Sequence, residues 1–368
     1  MADNYIGLMS GTSMDSIDAV LVDFSSPTPR LIEQLSYAWP EDLKTRLQTL
    51  AENPHSSITE FATLDIETGR WFASAVTALI EKSGLATNTI KAIGSHGQTV
   101  LHQPDSAVAF SQQIGDPNTI TEQTGITTVA DFRRRDIAAG GQGAPLAPAF
   151  HRQVFCSPDE NRVVLNIGGM SNITVLPTVN STVTGFDTGP GNVLLDAWIS
   201  QHSDITFDNQ GEWARSGTVH SALLQRLREH DFFNLKPPKS TGRETFNLDW
   251  LQNSLQSFDS IPAADIQATL VALTTITIAE AIQAYASNTQ RLLVCGGGVH
   301  NTYLLEQLQK LLPDLTIEST EKYGVHPDWV EAIAFAWFAK QTLEKKPANL
   351  PSVTGAKQLV ILGGIYQA

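Results

Sequence analysis

Alternating apolar and polar positions predict three consecutive strands at the start of the chain, Tyr5–Met9, Asp18–Phe24 and Leu31–Trp39. The period then changes to that of a helix over Glu41–Ala51 and Ile58–Lys82, the second with apolar residues at Phe61, Leu64, Phe72, Val76 and Leu79. A strand at Ala92–Gly94, a short helix around Thr119–Thr124 and a strand at Thr127–Ala130 follow. Periodicity lapses over residues 131–147, which are rich in Gly and read as a functional loop and a candidate domain boundary. Beyond it the order restarts with a helix, a strand–turn–strand at 163–176, a strand at 183–186 and a helix to about His202. Residues 203–258 are polar and irregular with some helices, and read as an insertion. A long apolar helix at 262–286 leads to a strand from Arg291 and a Gly loop opening a helix. A strand at Thr316–Glu318, a helix at Asp328–Leu343 and a β-prone run at Gln358–Leu362 close the chain. Hairpin first, helices and further strands later, twice over: the pattern predicts a mixed α/β protein duplicated at the scale of a domain, with no short solenoid repeat.

Length agrees, since 368 residues exceed one ordinary core. A hydrophobic content of 42% with 17% charged residues is that of a soluble globular chain. The net charge of −14 and pI near 5.0 argue against a nucleic-acid partner, and leave Arg133-Arg134-Arg135 as the one dense cationic cluster. Two cysteines, Cys156 and Cys295, are expected to be reduced and buried, which fits a cytoplasmic address. The first basic residue is Arg30, so no signal-peptide pattern is present. The 262–286 helix carries Asp265, four threonines and Glu280, and is read as a core helix with no membrane partner.

Candidate chemistry sits where strands meet Gly-rich turns. Gly11-Thr12-Ser13-Met14-Asp15-Ser16-Ile17-Asp18 offers backbone for close phosphate approach, hydroxyl donors, and two carboxylates, Asp15 and Asp18, able to hold Mg²⁺. Gly168-Gly169-Met170-Ser171-Asn172 repeats that logic, so the two hairpins suggest a paired grip on a polyphosphate. Each alone is equally an ordinary turn. Gly296-Gly297-Gly298 would let a ribose or base approach the backbone, or would serve close helix–strand packing. Asp187 in Asp187-Thr188-Gly189-Pro190-Gly191-Asn192 is either a helix cap or a general base in a tight turn. His96 and Gln98 read as a substrate-facing turn or as satisfied core polar groups. One of the three arginines, with Arg135 taken as the candidate, binds an anion or belongs to a solvated charge run. Glu331 is a first-turn acid favoured by the helix dipole, or a substrate ligand. No Gly-x-x-x-x-Gly-Lys-Ser/Thr motif occurs, which makes a P-loop fold an unsuitable reading.

Five stretches together resemble the anhydro-N-acetylmuramic acid kinase family: 7–15, Ser95-His96-Gly97-Gln98-Thr99, 166–172, Phe186–Asn192 and Val294-Cys295-Gly296-Gly297-Gly298-Val299-His300-Asn301. The resemblance spans essentially the whole chain. It implies a two-lobed, actin-like ATPase (ribonuclease H-like) fold, duplicated mixed-sheet domains with a nucleotide cleft between them. The lobes are expected at residues 1–131 with 345–368, and at 132–344. The implied reaction is ATP- and Mg²⁺-dependent: hydrolytic opening of 1,6-anhydro-N-acetylmuramic acid and phosphorylation at O6, in cell-wall recycling. By the family pattern Gly11 to Asp18 form the ATP phosphate segment and Asp187 is the catalytic carboxylate. Ser16 stands where the family usually has Gly. Homodimerisation is suggested by the resemblance alone. Two rivals remain open: a conventional kinase acting on a free sugar hydroxyl, and a nucleotide-switched interaction module of the actin or Hsp70 kind.

Overall fold

A computed structural model describes residues 2–11, 14–53, 55–178 and 182–368. Thr12 and Ser13, both named above as nucleotide ligands, lie outside the described residues. In chain order the elements are β1 (Asn4–Met9), β2 (Ser16–Asp23), β3 (Arg30–Ala38), α1 (Glu41–Glu52), α2 (Ile58–Ser83), β4 (Ile90–Ser95), β5 (Gln98–Gln103) and β6 (Phe110–Ile114). They continue through α3 (Pro117–Thr124), β7 (Thr128–Ala130), α4 (Phe132–Ala138), α5 (Ala147–Phe155), β8 (Arg162–Ile167), β9 (Met170–Leu176) and β10 (Thr184–Pro190). After α6 (Val193–His202) come three short helices, α7 (Glu212–Ser216), α8 (Ser221–Arg228) and α9 (Leu248–Leu255), then α10 (Ala263–Tyr285) and β11 (Arg291–Cys295). The chain ends with α11 (Thr302–Leu311), β12 (Thr316–Ser319), α12 (Val330–Leu343), α13 (Pro351–Thr354) and β13 (Gly364–Tyr366).

Two compact units result: Met1–Val154 with Gly324–Ala368, and Phe155–Tyr323. In the first, the sheet order is β13-β7-β4-β1-β2-β3. Antiparallel pairs join β1 to β2 and β2 to β3, while β1–β4 and β4–β7 run parallel. The second unit's order is β10-β9-β8-β11-β12, with β8–β9 and β9–β10 antiparallel and β8–β11 and β11–β12 parallel. Strand for strand, β8, β9, β10, β11 and β12 repeat β1, β2, β3, β4 and β7. This is the duplicated mixed-sheet arrangement of the actin-like, ribonuclease H-like fold.

Each unit has its own core. Ile6, Leu8, Ile17, Leu64, Phe72 and Val76 pack in the first; Leu165, Ile173, Phe186, Leu270, Ile278 and Val294 pack in the second. Helix α2 forms where its period predicts, started by the Ser57 side chain accepting from the Glu60 N–H and stopped by Gly84 in the left-handed region. Helix α10 is long and largely apolar, and by length and composition it could cross a membrane. Its most apolar stretch is 72% buried within the protein, as the expected core helix requires.

Several boundaries differ from the sequence reading. Residues 132–138 form helix α4 rather than loop, and β5 with β6 makes a small hairpin that the sequence reading did not anticipate. The run 358–362 is irregular, and the closing strand lies instead at Gly364–Tyr366, antiparallel to β7. The units divide at 154/155 and 323/324, not at 131/132 and 344/345. The second of these shifts is explained by helix α12, which lies directly on the first sheet. A Cβ on Gly7 would fall 1.9 Å from the Ala332 carbonyl oxygen, and one on Gly94 would fall 2.0 Å from that of Phe335. These two glycines are register partners on β1 and β4, and together they open the flat patch that seats α12.

Candidate active site

In the first unit Ser10, Gly11, Met14 and Asp15 lie between β1 and β2. The Ser10 hydroxyl donates to the Gln98 side-chain oxygen at 2.7 Å, and the Gln98 amide returns a bond to the Gly11 carbonyl at 3.3 Å. Gln98 is fully buried. It holds the hairpin turn from beneath, which corrects the reading of Gln98 as a substrate-facing group. Met14 and Ile17 also send their side chains into the core, so only their backbones remain for a ligand. At the turn's far end Asp18 accepts from Ser36 at 2.8 Å and from Ser16 at 3.2 Å, both on Oδ1. Burial, then the charges of Asp328 and Asp15, raises its pKa above the usual carboxylate value, against those two hydrogen bonds. Oδ2 is left without a hydrogen bond among the described residues. An acid held among other acids, with one oxygen unspent, suits a divalent cation that keeps most of its water and leans on phosphate. No ready-made cluster of three metal-binding side chains exists among the described residues.

The arginine question resolves by helical phase. Phe132 and Asp136, four apart on α4, are buried. Arg134 and Arg135 are exposed; Arg134 pairs with Asp131, and Arg135 makes no side-chain bond among the described residues. Arg133 is the one turned inward. It donates to the His96 Nε2 through Nε at 3.1 Å and through Nη2 at 2.9 Å, and to the Gly143 carbonyl at 2.9 Å. Receiving Arg133 at Nε2 leaves the imidazole proton on Nδ1, beside the Ser10 and Gly97 backbone. Burial first, and the Arg133 charge second, keep His96 neutral far below its ordinary pKa. Its ring lies tilted against Phe335, with ring centroids 4.7 Å apart. His96 therefore buttresses Arg133 from behind. Burial lowers Arg133 to about 10, opposed by the charge of Glu331, so it stays a cation at neutral pH. Glu331 opens α12, closely ringed by protein yet keeping solvent access, and its pKa is raised by desolvation and pulled back by Arg133.

The network behind Arg133 extends to Asp136, which is fully buried. It accepts from the Gly143 N–H at 2.9 Å, from Asn349 at 2.8 Å and from Thr354 at 2.8 Å. Arg133 thus reaches a carbonyl whose own residue is pinned by a buried carboxylate. A cavity of 410 Å³ in this unit is lined by Phe24, Trp337, Lys340 and Lys346 and contains none of these groups.

In the second unit, three polar residues stand in one row across the sheet: Asn166 opposite Asn172, and Asn172 opposite Asp187. Their neighbours Leu165, Ile173 and Phe186 point the other way into the core, as the two-residue period demands. Asp187 is inside strand β10, six residues before α6, so it does not cap that helix. Its Oδ2 accepts from the Thr241 N–H at 2.9 Å and the Ser240 hydroxyl at 3.2 Å. Oδ1 takes no hydrogen bond among the described residues. Burial pushes the carboxyl up to about 6, against those two bonds; the Glu244 charge adds to the rise and the Lys239 charge opposes it.

The β8–β9 turn belongs to the same sheet, a few residues along β9 from Asn172. Its Gly168 and Gly169 carbonyls accept from the N–H groups of Asn192 and of Gly191 and Val193, tying the turn to the start of α6. A Cβ on either turn glycine would meet nothing nearer than 3.6 Å, so the turn leaves room for a ligand. Ser171 is fully buried, its hydroxyl committed to Thr188 at 2.5 Å inside the sheet, and offers nothing to a phosphate. In the third Gly loop the packing alternative holds for two of three residues. A Cβ on Gly296 would meet the Asn166 side chain and one on Gly298 would meet Ile167, each at 2.3 Å. Gly297 alone has space.

Sequence reasoning missed Arg133 in favour of Arg135, because without the helix the phase of the three arginines was invisible. It also missed Asn166 and the 239–241 loop, whose partner Asp187 is more than fifty residues away. The cluster Ser240-Thr241-Gly242 inside an apparent insertion was the available signal.

A model of the family described as anhydro-N-acetylmuramic acid kinase matches residues 3–368. The anhydro-N-acetylmuramic acid kinase of Coxiella burnetii (strain RSA 493 / Nine Mile phase I) is 50% identical over 367 residues, 99% of this chain and 97% of its own. That of Shewanella denitrificans is 52% identical over 364 residues, 99% and 98% of the two chains. Among solved structures, a ROK family glucokinase from Streptomyces griseus in complex with glucose and AMPPNP superposes with a TM-score of 0.43 at 13% identity, covering 92% of this chain and 99% of that one. Component A of the Acidaminococcus fermentans (R)-2-hydroxyglutaryl-CoA dehydratase gives 0.48 at 10% identity, covering 93% and 100%.

Proposed function

This chain belongs to the anhydro-N-acetylmuramic acid kinase family, and on that premise we propose that Asp187 is the base that drives its reaction. The protein is an ATP-dependent kinase that opens the 1,6-anhydro ring of 1,6-anhydro-N-acetylmuramic acid and leaves N-acetylmuramic acid 6-phosphate and ADP, a step of murein recycling. The O6 of the substrate is locked in an ether bridge, so no free 6-hydroxyl is available to phosphorylate. Asp187 removes a proton from water as that water attacks the anomeric carbon. The bond from the anomeric carbon to O6 breaks, O6 attacks the γ-phosphorus, and ADP departs. One observation carries the assignment: a carboxylate raised to about 6, with Oδ2 fixed and Oδ1 unspent, on the sheet that also supplies the Gly168-Gly169 turn. A base of that pKa is charged at neutral pH and still strong enough to take a proton.

The remaining roles follow from chemistry. In the first unit Gly11 to Asp18 are suited to the phosphates of a nucleotide, and in the second the Gly168-Gly169 turn and Gly297 are suited to a nucleotide as well. Arg133 and Glu331 bind the sugar as a cation and an acceptor, with His96 as the support behind Arg133 and Gln98 as the support of the Ser10–Gly11 turn. Asp18 with Asp15 would hold Mg²⁺, which neutralises charge on the phosphates. An Asp18→Asn chain is expected to need roughly tenfold or more Mg²⁺ for half-maximal turnover at saturating ATP. An unchanged Mg²⁺ midpoint would remove Asp18 from that role.

Product mass tests the reaction. With ATP, Mg²⁺ and the anhydro sugar, the product is expected to gain the elements of phosphate and of one water, and early label from ¹⁸O water is expected at the anomeric oxygen. Phosphate gain without water would mean a conventional kinase acting on a free hydroxyl.

A further inference from the structure

We propose that Ser240 and the Thr241 amide form a clasp that fixes Asp187 and leaves its Oδ1 as the oxygen that takes the proton, an inference resting on Asp187 being the base. Strand β10 is the edge of its sheet, so its outward backbone groups have no neighbouring strand. At Asp187 that gap is filled from the loop: the Asp187 N–H donates to the Lys239 carbonyl at 3.1 Å. Two residues on, the Thr241 N–H returns to the same residue's side chain at 2.9 Å, and the Ser240 hydroxyl joins it at 3.2 Å. Three consecutive loop residues therefore grip one residue of the sheet by both backbone and carboxylate.

Both donors fall on Oδ2. A carboxylate held at one oxygen has its plane set, and its free oxygen points in one direction only. Any general base needs that orientation before its strength matters. The same bonds favour the charged form, opposing the rise that burial imposes. The charged groups acting on the carboxylate are Lys239, whose ammonium donates to the Phe232 carbonyl at 3.2 Å, and Glu244. From β9 the facing residue is the neutral Asn172. Ser240 is itself exposed and fills no core, so its contact with Asp187 is separable from folding.

The test compares kcat against pH for the full chain, Ser240→Ala and Ser240→Thr, with saturating ATP, Mg²⁺ and anhydro sugar. Loss of one donor to the anion is expected to move the acid limb upward by about half to one pH unit in Ser240→Ala. Ser240→Thr, which keeps a hydroxyl, is expected to bring the limb back. A limb that stays at the parent position in Ser240→Ala overturns the clasp, whatever happens to the melting temperature. Asp187→Asn separates this outcome from failure of the base assignment. If it is inactive while the Ser240→Ala limb is unmoved, only the clasp falls. If it turns over normally, the base assignment itself falls.

Discussion

An Asp187→Asn chain is expected to lose about 10²–10⁴ in kcat, the usual worth of a positioned base, while melting no lower than the parent at pH 8. Asparagine retains an oxygen that can accept from Thr241 and Ser240, so the grip of the loop persists. What it lacks is the charge. The parent carboxyl sits near 6 against an ordinary aspartate value of 3.8, so the folded chain holds its proton more tightly than the unfolded one. That preference favours folding at acid pH, and it is lost as pH rises from about 4 through about 6, where the buried charge becomes a cost. The Asn chain never bears that charge. Its melting temperature relative to the parent is therefore expected to be higher at pH 8 than at pH 5. For the parent, kcat is expected to fall as pH drops through about 6, because the protonated acid cannot take a proton from water. Near-normal turnover in the Asn chain would end the assignment. A collapse in melting temperature would show instead that the carboxylate is a structural support.

The repeated hairpin was readable in the sequence because it is a local object. Strands β1 with β2, and β8 with β9, are joined by short turns, and their two-residue period and Gly content are written within about twenty residues. The motif positions of Asp187, His96 and Glu331 were equally local. What failed to show was anything decided at long range. Gln98 and Ser171 carry the same polar atoms whether they meet a ligand or a buried partner, and only folding assigns Ser10 to one and Thr188 to the other. Arg133 differs from Arg135 by its angle on a helix that a Gly-rich neighbourhood disguised. The 239–241 loop meets Asp187 across a stretch whose irregularity hid its purpose. The division of the units was misplaced for the same reason. Helix α12 belongs with strands more than three hundred residues earlier, and nothing in its own composition says so.

That long-range contact supports the second large effect: Gly7→Ala is expected to destabilise the first unit by about 3 kcal/mol or more and to lower turnover as well. The added methyl would lie 1.9 Å from the Ala332 oxygen and 2.8 Å from the Ala336 nitrogen, both backbone atoms of one helix. A flexible side chain could swing aside from such a contact; a hydrogen-bonded helix backbone cannot. The helix must instead lift from the sheet, and Ala336, Ala339 and Phe335 would lose their packing with it. For a domain of this size roughly 2–4 °C accompanies each kcal/mol, so a fall of several degrees is expected in a thermal melt. The functional effect follows from position, since Glu331 is on the first turn of the displaced helix and Arg133 acts on it electrostatically. The KM for the anhydro sugar is therefore expected to rise in the fraction that remains folded. Gly94→Ala, whose methyl would strike the Phe335 oxygen one turn along, should behave alike, and the pair should be less than additive because lifting α12 once relieves both contacts. Gly84→Ala provides the contrast. Gly84 is also in the first unit, but a Cβ there meets nothing within 4 Å, and its cost should come only from the left-handed backbone of a helix cap, with no change in KM. If Gly7→Ala melted with the parent, helix α12 would not be seated as described, and the placement of Glu331 would fall with it.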